Sequence, residues 1–178
     1  MAASSGRALR LAVKKCLRNV KKCDLGITVV IVGQQHPNQL QHVADAISGN
    51  GENMGGPLSP ILTYQGQKNR KSWPKGSSPR GLPSCNKGSN LSMAIRQFGG
   101  DVDCDEYPFN VAKEGGYGNY RKGRVSARFI PRAENQNFGA TMSGLGRGKN
   151  KLKAGDKFAV IPAPFSPVSV TIKSSKKR

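Results

Sequence analysis

Acidic residues are scarce in this chain of 178 residues, which has 10 Asp and Glu against 29 Lys and Arg. The formal net charge of +19 sets up a positive field that attracts polyanions. Nucleic acid is the commonest such partner, because each neutralised phosphate releases counterions and strengthens binding at low salt. A ribosome, a membrane surface or no special partner is also compatible with the charge. The charge therefore indicates a type of partner and says nothing about catalysis.

Long apolar runs are also lacking, since a membrane-spanning helix needs ~20 apolar residues and the longest run here, residues 29–32, has the length of a strand. We therefore expect no membrane partner. Apolar residues make up 36% of the chain and 22 residues are glycine. These values predict one domain with a modest core and long irregular connections.

Several enzyme motifs are missing from the sequence. It has no Gly-x-x-x-x-Gly-Lys-Ser/Thr phosphate loop, no Gly-x-Ser-x-Gly elbow and no His-Glu-x-x-His zinc-protease motif. No plausible Cys/His nucleophile pair is present either. The enzyme classes that remain favour phosphodiester hydrolysis.

The four cysteines are Cys16, Cys23, Cys85 and Cys104. Their spacings of 7, 62 and 19 residues include no Cys-x-x-Cys pair and suit no common zinc finger. An even number is compatible with two disulfides and an oxidising compartment, although the connectivity stays open. A Cys85–Cys104 bridge would tie down the long loop tract between residues 49 and 100.

The N-terminal residues carry charges that interrupt every candidate apolar core, so we expect no signal peptide there. The chain is then either a form that has lost its leader or one that is not exported by that route. Apolar residues at helical spacing over 8–22 predict a basic amphipathic helix. That helix either packs through its apolar side or acts as a phosphate-binding arm.

The hydrophobic pattern predicts strands over 27–32, 61–64, 124–130 and 157–161, and an edge strand that begins near Val168. It predicts helices from Pro37 to Gly49 and over 91–98. Residues 1–25 are predicted to form a basic arm, residues 26–166 the domain, and residues 167–178 a flexible basic tail. A lone histidine on a helix is more often a surface or core residue than a catalyst. For that reason we assign neither His36 nor His42 as the general base.

Four of the few acids, Asp101, Asp103, Asp105 and Glu106, fall within six residues. A divalent cation would offset their mutual repulsion, since such ions prefer carboxylate oxygen ligands. A solvated acidic turn compensated by nearby lysines and arginines fits the spacing equally well. If a cation binds there, the cluster, the downstream amide of Asn135 and the basic background supply the parts of a hydrolytic nuclease.

A family resemblance is carried by Cys-Asp-Glu-Tyr-Pro-Phe at residues 104–109 and by Lys-Glu-Gly-Gly at residues 113–116. Together they resemble the signature of the NucA/NucB deoxyribonucleases, which are small and mostly secreted bacterial enzymes. Weaker similarity covers the strand and helix over 27–47, the segment 130–137 and residues 155–158. The resemblance spans about residues 26–162 of the chain.

The resemblance implies an α+β fold, in which a small antiparallel sheet and a ββα-metal nuclease core bind Mg²⁺ or Mn²⁺. Asp105 is implied as the general base, with Glu106 as a supporting or metal-proximal carboxylate. Asn135 is implied as a metal ligand at the start of the ββα helix. Glu114 is implied to fix its loop or support the catalytic group.

Two further metal candidates follow from the resemblance. Asp103 matches an acid that some members carry. Phe138 stands where many members have a polar glutamine, which leaves Asn137 as the substitute that would complete the metal shell. The resemblance also favours secretion.

For phosphate contacts we select basic residues near this segment. They are Arg128, Arg132, Lys113 and Arg121. The sequence thus predicts a monomeric, sequence-indifferent endonuclease acting on DNA, with RNA left open as a further substrate. The alternatives are a non-catalytic basic protein that binds nucleic acid on the same fold, and a nuclease domain used as a toxin or effector.

Overall fold

A computed structural model of the chain describes residues 11, 12, 14, 25–52, 54–66, 85, 88–149 and 151–173. The strands are β1 (Thr28–Val32), β2 (Ile61–Thr63), β3 (Val102–Tyr107), β4 (Ser126–Pro131), β5 (Lys157–Pro162) and β6 (Val170–Ile172). The helices are α1 (Pro37–Ser48), α2 (Ser89–Phe98), α3 (Tyr117–Tyr120) and α4 (Arg132–Ser143), which continues into a 3₁₀ turn over Gly144–Gly146. The predicted α+β class is confirmed.

Four strands form the larger sheet in the order β2-β5-β1-β6. β1 and β5 are parallel, with Val30 opposite Val160, whereas β2 and β6 are antiparallel to their neighbours. The sheet is therefore mixed rather than wholly antiparallel. All five residues of β1 are buried, which is typical of a strand covered on both faces.

β3 and β4 form a separate antiparallel ribbon, in which Asp105 lies opposite Arg128 and Tyr107 opposite Ser126. Helix α4 follows β4 directly, since Pro131 ends the strand and Arg132 begins the helix. This order produces the ββα arrangement that the family resemblance implies. α4 forms although Gly139 lowers its intrinsic propensity, because Phe138 and Met142 bury their side chains in the core.

Three apolar clusters hold these layers together. The largest joins one face of the sheet to α1 and α4 through residues such as Val43, Val160 and Phe138. A second packs α2 against the ribbon, and a third is formed by side chains on the opposite face of the sheet. The ribbon thus lies between α2 on one side and the α1–α4 layer on the other.

Helix α1 begins at Pro37, whose missing N–H is harmless in the first turn. It ends at Gly49, which has a φ of 91° in the left-handed region and donates its N–H to the carbonyl of Ala46. These are the two boundaries that the sequence predicts. α1 contacts both β1 of the sheet and β3 of the ribbon, so it joins the two halves of the domain.

β6 extends the sheet beyond residue 166, after which a basic tail was predicted to begin. The predicted N-terminal arm falls almost entirely outside the described residues, and so do the last five residues of the predicted tail. Within the described part of the chain, no helix is long and apolar enough to cross a membrane.

Candidate active site

A pocket of about 240 Å³ opens between β3, the segment that follows it and α4. Its apolar wall includes Phe109, Phe138 and Met142. Four side chains with oxygen atoms also line it, namely Asp105, Glu106, Asn110 and Asn135. The structure therefore brings three residues predicted from the sequence, Asp105, Glu106 and Asn135, to one pocket.

Asp105 lies within β3 and is only 7% exposed. One carboxylate oxygen, Oδ2, accepts hydrogen bonds from Gln39 Nε2 at 2.6 Å and from His42 Nδ1 at 2.6 Å. Among the residues that the structure describes, none donates a hydrogen bond to the other oxygen, Oδ1. Asp105 is thus held from one side and keeps a free acceptor.

His42 is fully buried, and its second ring nitrogen, Nε2, lies 2.9 Å from Ser126 Oγ. Ser126 Oγ also lies 3.4 Å from Glu52 Oε2. Sequence reasoning missed the pairing of His42 with Asp105. The available signal was that Gln39, His42 and Ala46 share one helical face with Val43, so two polar side chains lie on a face that is otherwise apolar.

The four clustered acids do not form one site. Arg132 binds Asp101 through Nη1 at 2.9 Å and Asp103 through Nε at 3.4 Å. Asp101 is largely exposed, and neither it nor Asp103 lines the pocket. Two acids of the segment, Asp101 and Asp103, therefore pair with Arg132 of α4. The other two, Asp105 and Glu106, lie at the pocket.

The asparagines predicted as metal ligands also separate. Asn135 lines the pocket from the first turn of α4, whereas Asn137 is exposed and does not line it. Asn110, which was not predicted from the sequence, is a pocket residue whose buried Oδ1 has no hydrogen-bond donor in the described part of the chain. Such an oxygen suits a cation or a donor on a substrate.

Glu134 precedes Asn135 and faces the start of α1. Its Oε1 accepts the backbone N–H of Gln39 at 2.7 Å, and its Oε2 accepts Asn38 Nδ2 at 2.7 Å. The carboxylate thus satisfies a helix N–H that His36, the residue before α1, leaves uncapped. Glu134 fixes α1, and with it Gln39 and His42, against α4.

Glu114 has a bracing role in the fold. Its Oε2 accepts the backbone N–H of Thr63 at 2.9 Å, which attaches the segment after β3 to strand β2. It does not line the pocket. Its charge adds to the effect of burial in raising the pKa of Tyr107, whose hydroxyl donates to the carbonyl of Ser59 at 2.8 Å.

Of the four predicted phosphate contacts, Lys113 and Arg121 are exposed. Arg128 instead forms ion pairs with Asp45 at 2.9 Å and Glu52 at 2.6 Å. Burial lowers the pKa of Arg128, but the hydrogen bonds and charges of Glu52 and Asp45 outweigh it and raise that pKa. Arg128 and Arg132 are therefore already paired with carboxylates.

His36 lies beside the pocket wall, with its ring 5.5 Å from Phe138 in an edge-on contact. Its Nδ1 is 2.7 Å from Ser169 Oγ. Burial lowers the pKa of His36, while the charge of Glu134 acts in the opposite direction. The uncharged imidazole is therefore the favoured form in the folded protein.

A disulfide joins Cys85 to Cys104, the residue directly before Asp105. The predicted tie between the loop tract and β3 is thus present. The other two cysteines, Cys16 and Cys23, lie outside the described residues.

No group of three or more His, Cys, Asp or Glu side chains suited to a metal occurs in the described ranges. The pocket offers two carboxylates and two amides, all hard oxygen donors. Mg²⁺ commonly binds through one or two carboxylates and keeps several waters for substrate phosphates to replace. The donor set therefore fits an ion of that type and does not fit a closed zinc site.

The family model described as Deoxyribonuclease NucA/NucB matches residues 52–161. The matched segment includes the ribbon, α4 and every pocket residue named above, whereas Gln39 and His42 precede it. No curated protein and no solved structure matches the chain.

Proposed function

This chain belongs to the NucA/NucB deoxyribonuclease family, and we propose that it is a divalent-metal-dependent endonuclease that hydrolyses DNA without sequence specificity. The observation that carries this proposal is the setting of Asp105 in the pocket. The carboxylate is held through Oδ2 by Gln39 and His42, and no residue in the described part of the chain donates a hydrogen bond to Oδ1.

We assign Asp105 as the general base. A base must lie within hydrogen-bond reach of the proton that it accepts. A water bound in the pocket would donate to Asp105 Oδ1 and be oriented toward a phosphorus atom on the open side. The apolar wall of Phe109, Phe138 and Met142 limits the other positions that such a water can take.

We assign Asn135 and Glu106 as the residues that would hold the metal, with the amide of Asn110 beside them. A bound Mg²⁺ or Mn²⁺ would polarise the scissile phosphate and stabilise charge on the leaving oxygen. Asp103, paired with Arg132, and Asn137, exposed on α4, have less support as ligands. Glu114 supports the site indirectly by bracing the segment after β3.

The substrate assignment is supported by the family and by the net charge of +19. Lys113 and Arg121 are the exposed candidates for phosphate contacts. Contacts to phosphate carry no sequence information, so low specificity is expected. We further propose that the enzyme acts as a monomer outside the cell, an environment in which the Cys85–Cys104 disulfide is stable.

The test is cleavage of supercoiled plasmid by the wild type and by Asp105→Asn, with Mg²⁺ or Mn²⁺ and with a chelator. Loss of a general base lowers the rate by about 10²–10⁴-fold. Asp156→Asn is the matched control, because Asp156 lies in a turn before β5 and accepts the N–H of Lys153. We expect the control to cleave like the wild type and the chelator to stop cleavage.

A wild type that leaves plasmid intact with Mg²⁺, Mn²⁺ and Ca²⁺ at low salt contradicts the proposal. The basic nucleic-acid-binding scaffold would then be the better interpretation. Including a structured RNA in the same assay measures the preference for DNA over RNA.

A further inference from the structure

Helix α1 presents three polar side chains, spaced three residues apart, to the β3–β4 ribbon. Gln39 and His42 bind Asp105 on β3, and Asp45 binds Arg128 on β4. Asp105 and Arg128 are opposite one another in the ribbon, so the polar stripe of α1 crosses from one strand to the next.

From this geometry we propose that His42 is a positioning residue of the nuclease, acting on the reaction through the carboxylate of Asp105. The proposal rests on the function proposed above. It extends the catalytic machinery to a helix outside the matched segment 52–161.

The side-chain torsion that orients an aspartate carboxylate is broad, so an unrestrained Asp105 would sample many orientations. Two donors on the same oxygen remove that freedom. His42 Nδ1 and Gln39 Nε2 both lie 2.6 Å from Oδ2. Hydrogen bonds to a carboxylate are roughly twice as strong as those between neutral groups. Oδ1 is thereby kept in one place as the acceptor for water.

Ser126 selects the tautomer of His42 that carries its proton on Nδ1 and can donate it to Asp105. An Nδ1 that donates to Asp105 leaves Nε2 of a neutral ring as an acceptor. The hydroxyl of Ser126 has a single proton, and Nε2 at 2.9 Å is closer to it than Glu52 Oε2 at 3.4 Å. Ser126 therefore donates to Nε2, which fixes the tautomer with its proton toward Asp105.

A purely structural role for His42 makes a different prediction, because a core histidine would affect stability and leave the chemical step unchanged. The experiment therefore measures kcat and KM for plasmid together with the thermal midpoint, in His42→Gln and His42→Asn. The amide nitrogen of asparagine lies near the position of Nδ1. That of glutamine lies nearer Nε2.

We expect His42→Gln to lower kcat by about 10–100-fold, the usual effect of losing a partner that orients a reactive group. KM should change little, because phosphate binding is untouched. We expect His42→Asn to recover most of the lost kcat, since its amide can donate to Asp105. Equal kcat in His42→Gln and wild type overturns the proposal, and so does a failure of His42→Asn to exceed His42→Gln.

Ser126→Ala provides a second route should His42→Gln unfold. It leaves both donors to Asp105 in place and removes the hydroxyl that selects the tautomer and contacts Glu52, so kcat should fall with KM unchanged. A wild-type kcat in Ser126→Ala overturns the role of the imidazole tautomer.

A double mutant separates this inference from the proposed function. In the Asp105→Asn background, His42→Gln should lower the residual rate much less than it does in the wild type, because its effect passes through Asp105. Equal effects in the two backgrounds overturn the positioning role. A wild type that does not cleave overturns the proposed function and the positioning role together. Cleavage that depends on Asp105 and not on His42 overturns the positioning role alone.

Discussion

Asp105 and Arg128 lie directly opposite each other in the β3–β4 ribbon, and α1 supplies at least one partner to each. Asp105 accepts from Gln39 and His42, while Arg128 binds Asp45 of α1 and Glu52 beyond it. Arg128 thus holds the same helix that orients the proposed base. Its role is expected to appear in stability more than in DNA binding.

Replacing Arg128 by Gln should lower the stability of the fold by about 1–2 kcal/mol, because two half-buried carboxylates lose a charged donor. For a chain of this length that corresponds to a fall in the thermal midpoint of about 2–8 °C. Arg128→Lys keeps the charge without the planar guanidinium, so its thermal midpoint should lie between those of the wild type and Arg128→Gln. An unchanged midpoint with a raised KM for DNA would instead favour the phosphate contact expected from the sequence.

Unlike Arg128, the exposed cations Lys113 and Arg121 should affect DNA binding and not the stability of the fold. Each neutralising substitution, Lys113→Gln or Arg121→Gln, should leave the thermal midpoint unchanged and weaken DNA binding. It should also reduce the slope of log affinity against log salt by about one. Lys153→Gln, at an exposed residue in the turn before β5, is the matched control. A slope that no variant changes would show that these side chains do not contact phosphate.

His36 predicts a dependence of stability on pH. Burial lowers its pKa below the ordinary value of 6.5, so protonation is favoured in the unfolded chain. Its contribution to stability is complete above pH 6.5 and is lost as the pH falls towards the folded-state pKa. His36→Asn keeps an amide donor near Ser169 and does not titrate. The thermal midpoint of this variant should vary less between about pH 7 and pH 5, and equal variation would exclude His36 as the cause.

The first glycine of the Glu-Gly-Gly motif, Gly115, lies where the structure leaves no room for a side chain. A Cβ at this position would lie 2.3 Å from the carbonyl oxygen of Phe109 and 2.6 Å from that of Pro108. Gly115→Ala should therefore destabilise the fold by about 1–3 kcal/mol or more, because backbone atoms must move. Gly118→Ala is the control, since a Cβ there meets nothing within 4 Å. Similar denaturant midpoints for the two variants would contradict the close approach.

Local sequence patterns predict several elements of the fold. The β-branched run of β1 and the boundaries of α1 at Pro37 and Gly49 were enough to predict those elements. The motif around Asp105 was sufficient to identify the family. The parallel pairing of β1 with β5 was not predicted, because a buried apolar run does not reveal which distant strand lies beside it.

The site was predicted less completely for the same reason. Gln39 and His42 on an otherwise apolar helical face indicate that these side chains have a buried partner. They do not indicate that this partner is Asp105, since the contact depends on how α1 packs over the ribbon. The spacing of Asp101 and Asp103 likewise fits either a metal site or an acidic turn, and their ion pairs with Arg132 are evident only in the folded structure. Residue types and spacing identify candidate groups, whereas long-range packing decides which of them meet.

The place of β1 between β5 and β6 has a consequence for synthesis of the protein. Val29 pairs with Ala159 on one side and with Ile172 on the other, so the first strand of the sheet leaves the ribosome long before either neighbour exists. α1, which packs on that sheet, gains its full support only when the last strands emerge. Chains that lack the last strands therefore have no completed sheet beneath the helix that carries Gln39 and His42.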